Sequence, residues 1–129
     1  MDLFLEATIT GLATAAILAV AASGLVLTYT TTGIFNFAHG AVGMLGAFAY
    51  WQLRFGWGWP APVALVVVLG VLAPLLGVVI ERGVMRGLHD APETVRIVVS
   101  IGLLAALIGV GLWVWPPDVA RPFPRFWGN

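Results

Sequence analysis

Residues 7–53 carry no charged side chain, an uninterrupted run of 47 residues. A helix needs only about 20 apolar residues to cross a bilayer once. The run is therefore long enough for two crossings and has to turn back or break inside itself. Two polar stretches within it mark where. One is Thr-Tyr-Thr-Thr-Thr-Gly, from Thr28 to Gly33, and the other is Asn36-Phe37-Ala38-His39-Gly40. Polar groups at membrane depth are costly, and they face a bundle interior or a water-filled path rather than lipid.

Composition agrees with a membrane setting. The chain is 60% apolar and 9% charged, whereas a soluble domain carries about 25% charged residues. At 129 residues it lacks the polar side chains to clothe a globule in water. Its formal net charge is zero, which gives no hold for nucleic acid. It has no cysteine, so disulfides, thiolate metal sites and cysteine nucleophiles are excluded. Two histidines without acidic neighbours in the apolar runs suggest no metal, and no cofactor is expected. The N-terminus has Asp2 and Glu6 but no basic leader region, so the first apolar run is expected to be retained as a span.

The remaining charges divide the chain. Residues 55–80 and 97–117 are two further uncharged runs. The expected fold is an all-α integral membrane protein with about four transmembrane helices, at about 7–29, 34–53, 62–80 and 95–115. The alternative is a second helix broken between Thr30 and Gly43, since irregular backbone is tolerated at that depth only where protein or water surrounds it. The whole of 1–129 reads as one polytopic unit, with 116–129 an external Pro- and Trp-rich tail.

Orientation rests on the arginines, because the chain has no lysine. Arg82, Arg86 and Arg96 flank one short loop, and Arg54, Arg121 and Arg125 fall on the other side. The compact cluster of three is taken as cytoplasmic. Trp51, Trp57, Trp59, Trp113 and Trp115 then fit an outer interfacial belt. Gly40, Gly43 and Gly46, then Gly70, Pro74 and Gly77, then Gly102, Ala105, Ala106 and Gly109 give small-residue faces suited to close helix packing in lipid. Pro74 is expected to kink its helix.

No catalytic residue is expected: there is no phosphate loop, serine elbow or carboxylate pair. Asn36 and His39, three apart, share a helix face. They would line a solute path, or Asn36 would cap a helix and His39 bond to a neighbouring one. A proton relay through His39 lacks an acid within the same runs. Thr28, Thr30, Thr31 and Thr32 would line a vestibule or bond back to their own helix. Glu81, Arg82 and Arg86 would contact a cytoplasmic partner or form a solvated helix end.

These residues carry a resemblance. Thr32-Gly33-Ile34-Phe35-Asn36-Phe37-Ala38-His39-Gly40 with Met44-Leu45-Gly46-Ala47-Phe48, preceded by residues 24–29, resembles the N-terminal part of permease subunits of branched-chain amino acid ABC importers. Glu81-Arg82 with Arg86, then residues 100–103, is similar to a second stretch of that family. The resemblance implies a bacterial inner-membrane permease paired with a second, related permease. It implies two cytoplasmic ATP-binding subunits that hydrolyse ATP, a periplasmic solute-binding protein, and alternating access. It places Asn36, His39 and Gly40 near the path, and Thr32, from the threonine stretch, is a further candidate for its lining. Such permeases are longer, so the chain is expected to be a fragment. They also serve urea, amides and other amino acids, which leaves the solute open. Two other readings stand beside it: a small ATP-independent channel or secondary transporter, and a structural membrane protein.

Overall fold

The computed structural model describes residues 2–118, 120 and 121. Arg125 and most of the expected external tail lie outside the described residues. The helices in chain order are α1 (Asp2–Thr32), α2 (His39–Trp51), α3 (Ala61–Val67), α4 (Ala73–Gly83) and α5 (Glu93–Val114). The described residues contain no strand. A π-helical turn, Gln52–Gly56, extends α2, and a second, Val68–Leu72, joins α3 to α4. These segments make four helical rods. Three helices are long and apolar enough to cross a membrane: Leu3–Thr32, Ala61–Leu88 and Glu93–Val114.

The fourth rod, α2, differs from the expected 34–53 span. Ile34 to Ala38 is not helical, and α2 begins at His39. The polar threonines do not break α1, because their hydroxyls bond back to the carbonyls a turn earlier. Thr31 Oγ1 donates to Leu27 at 2.8 Å and Thr32 Oγ1 to Thr28 at 2.7 Å. The helix ends at Gly33 instead, whose φ of +66° suits a residue without Cβ. Its N–H still reaches the Tyr29 carbonyl at 2.8 Å. The non-helical residues 33–38 therefore fall inside the interval from Thr30 to Gly43, but as the connection between α1 and α2: α2 itself runs unbroken from His39 into the π-helical turn at Gln52.

Lipid offers no partner for the backbone of this connection, so side chains supply them. The Ile34 N–H donates to Thr32 Oγ1 at 3.2 Å, and the Ala38 N–H donates to Asn36 Oδ1 at 3.0 Å. The His39 N–H donates to the Asn36 carbonyl at 3.2 Å, which leads the chain into α2.

Pro74 stands in the first turn of α4, directly after a π turn in which the Ala73 N–H bonds to the Val68 carbonyl. The wider turn fits there because proline has no N–H to continue the ordinary ladder.

α2 lies at the centre, against α5, the Val68–Leu72 turn and α4. The main apolar cluster is Ile34, Ala38, Ala41, Ile80, Met85, Leu88 and Leu107, at the N-terminal end of α2. A smaller one, Leu53, Ala64 and Val68, sits at its other end. Small residues permit the close approach: a Cβ on Gly111 of α5 would lie 2.8 Å from Met44 Cε of α2.

α1 stands apart. Its side chains from Leu3 to Ser23 are exposed on every side, and only Gly24, Leu25, Thr28 and Thr32 are half buried. A helix that is apolar all round and yet uncovered by protein is stable only in lipid.

The two ends of the bundle differ. Around the end of α2, Phe48 stacks on Trp115 at 5.4 Å, whose Nε1 donates to Gln52 Oε1 at 3.3 Å. Trp51 takes the Arg121 guanidinium on its face at 5.5 Å. Trp57 pairs with Trp59, and Arg54 donates to the Trp59 carbonyl. The opposite end holds the 33–38 connection, the end of α4 and the start of α5. There Arg96 ties the loop by donating to the carbonyls of His89 and Ala91 at 2.6 and 2.9 Å.

Candidate functional site

A cavity of about 190 Å³ opens where α1, α2 and α4 converge at this second end. Its polar wall is Thr28 and Thr32 from α1, Asn36 from the connection, His39 from α2 and Glu81 from α4. Ile34, Ile80 and Met85 close it with apolar surface.

Each polar residue is held in a different way. Thr28 Oγ1 donates to the Gly24 carbonyl at 2.9 Å, so this hydroxyl faces the cavity mainly as an acceptor. Thr32 uses its hydroxyl in both directions, donating to Thr28 and accepting from Ile34. Its contribution is to shape the chain. Asn36 also has a structural role through Oδ1, but its amide nitrogen brings two further donors. His39 is half buried, with its ring against α1 beside Gly24. Glu81 lies in the last turn of α4, where the helix dipole disfavours an anion by about 0.3–1 kcal/mol. Helix stability therefore does not account for a carboxylate at this position.

Of the residues singled out in the sequence, Thr32, Asn36 and His39 come together here. Gly40 does not line the cavity: it is exposed, and a Cβ added to it meets nothing within 4 Å. Glu81, Arg82 and Arg86 are all exposed, and of the three only Glu81 lines the cavity, at its rim. Residue spacing had left His39 without an acid because Glu81 is 42 positions away. Tertiary packing brings them to one cavity.

A second cavity, of about 230 Å³, lies between α2, α4 and α5. Leu45, Ala49, Leu76 and Val110 give it an apolar wall. Val42 lines both cavities and so forms the partition between a polar and an apolar compartment. Among the described residues no group of three metal-ligating side chains is assembled.

A family model, "Branched-chain amino acid transport system / permease component", matches residues 7–124. The chain belongs to this family. It is a multi-pass membrane protein and a transport permease component. No curated protein and no solved structure matches it.

Proposed function

We propose that this permease chain forms part of the translocation path of an ATP-driven importer for branched-chain or related amino acids. The observation that carries the reading is the partition at Val42, with a hydrogen-bonding compartment on one side and an apolar one on the other. A branched-chain amino acid has the same two parts. Glu81 would attract its ammonium group. The Asn36 amide and the His39 imidazole would receive its carboxylate. The aliphatic side chain would enter the space beside Leu45 and Val110.

The family match supports the rest of the assembly: a second related permease, two cytoplasmic ATP-binding subunits that hydrolyse the ATP, and a periplasmic solute-binding protein. In this reading the membrane is the bacterial inner membrane. Arg82 and Arg86 remain available to a cytoplasmic partner, being exposed at the end of the bundle where the path opens.

The test is uptake of labelled leucine, isoleucine and valine into vesicles that carry the full permease with its genomic neighbours. ATP-dependent uptake that falls in Glu81→Gln supports the reading. Uptake without ATP overturns the importer, and uptake indifferent to Glu81 overturns the site.

A further inference from the structure

On the outer side of the same end, a groove of about 560 Å³ runs between α1 and α5. It is separate from the cavity at Asn36 and shares no lining residue with it. Three aromatic rings form one wall. Tyr29 meets Phe35 edge-on at 6.3 Å, and Phe35 meets Phe37 at 4.8 Å with the planes tilted by 56°. All three are exposed. Glu93, in the first turn of α5, supplies the one carboxylate of the lining. Leu25, Val26 and Ile97 complete it.

The order of these groups along the groove matters. Glu93 and Tyr29 stand near the helix ends. Ile97 is one turn further into α5, and Leu25 and Val26 are about one turn further into α1. The groove therefore passes from carboxylate and π faces at the interface to aliphatic surface at depth. Aromatic faces and a carboxylate both favour a cation. An aromatic belt alone would require neither a carboxylate nor clustered rings.

We infer that this groove is a binding site for a phospholipid whose headgroup carries an ammonium. The ammonium rests on the faces of Tyr29, Phe35 and Phe37 opposite the Glu93 carboxylate. An acyl chain lies along Leu25, Val26 and Ile97. The charge excludes anionic headgroups that lack an amine. The site is independent of which solute the permease carries.

The test uses the full chain reconstituted into bilayers of equal phosphatidylethanolamine and phosphatidylglycerol, extracted in mild detergent, with the retained lipid quantified by mass spectrometry. Phosphatidylethanolamine should be enriched about threefold over the bilayer ratio, the size of one exposed cation–π contact. The enrichment should vanish in Glu93→Gln and in the double variant Phe35→Leu/Phe37→Leu, which keeps apolar area but removes the π faces. Glu93 is exposed in the first turn of α5, so Glu93→Gln gives up only the favourable helix-dipole interaction and should keep its helicity with at most a small fall in Tm. Retained lipid at the bilayer ratio overturns the proposal. Enrichment of phosphatidylglycerol, or an enrichment that survives both variants, does the same.

Discussion

Gly24 of α1 leaves the space that the imidazole of His39 occupies. A Cβ at position 24 would stand 3.1 Å from His39 Cε1 and 3.2 Å from Nε2. Both distances are tighter than ordinary van der Waals contact, so a methyl group there forces the ring to shift. The relationship ties the otherwise isolated α1 to the start of α2, next to the polar cavity.

Gly24→Ala should accordingly lower uptake while leaving membrane abundance near the parent level. The ring has to give by a few tenths of an ångström, and if that carries it off its rotamer the cost is about 0.5–1.5 kcal/mol, or roughly two- to twelvefold in the population of the productive geometry. Gly11→Ala on the same helix is the control, because an added Cβ there meets nothing within 4 Å. Equal uptake in the two variants would show that His39 does not need its observed position.

Asn36 calls for two variants, since its oxygen and its amide nitrogen do different things. Asn36→Leu removes the acceptor of the Ala38 N–H and should destabilise the protein by about 1–3 kcal/mol, seen as a lower Tm in detergent. Asn36 does not cap α2, whose N-cap is Ala38; Asn36→Ser keeps an oxygen able to accept from the Ala38 N–H in the same i to i+2 turn but loses the two amide donors. It should preserve Tm and lower uptake per molecule. If Asn36→Ser transports normally, the residue serves the backbone alone.

Much of this architecture is written in the chain because the bilayer sets the length of an apolar run. That makes the runs ending at Arg54 and Ile80 legible as helices. The break is harder to place. Thr30, Thr31 and Thr32 read as an interruption, yet their back-bonding keeps them helical, and the turn waits for Gly33 and Asn36. Gly40, in the first turn of α2, stands beside His39 in sequence yet is exposed and outside the cavity lining. Glu81 could not be assigned to the site from spacing, because only the packing of α4 against α2 brings it there. The signal for Gly24 was one of two glycines in a long helix, Gly11 being the other, and nothing in the sequence tells them apart until the neighbour of each is known.

The partition at Val42 predicts a change in selectivity. Val42→Ala would join the polar and apolar cavities. Competition by phenylalanine or methionine against labelled leucine should strengthen. Val42→Phe would narrow the partition and should raise the KM for leucine more than for alanine. A competition profile unchanged in both variants would separate Val42 from solute recognition.

Gly111 and Met44 test the packing of α5 on α2. The nearest atom to a Cβ at 111 is the flexible end of Met44, at 2.8 Å, followed by Leu45 Cδ2 at 3.5 Å. Gly111→Ala should be mild, because methionine adapts. Gly111→Val should overpack the contact and destabilise by about 1–3 kcal/mol. Met44→Ala in the Gly111→Val background should recover part of the loss, and thermal unfolding of the four proteins measures the coupling.

The orientation can be read directly, since the chain has no native cysteine to remove. Trp57 lies in the exposed loop after α2, and Arg86 lies exposed between α4 and α5, at the other end of the bundle. With Arg82, Arg86 and Arg96 on the cytoplasmic side, Trp57→Cys should react with a membrane-impermeant maleimide added to intact cells. Arg86→Cys should react only after permeabilisation. The reverse pattern would invert the orientation and place the polar cavity at the outer face, where the solute-binding protein rather than the ATP-binding subunits would meet it. Labelling of both positions from outside would mean that the rod from Ala61 to Leu88 does not cross the membrane, against its length and composition.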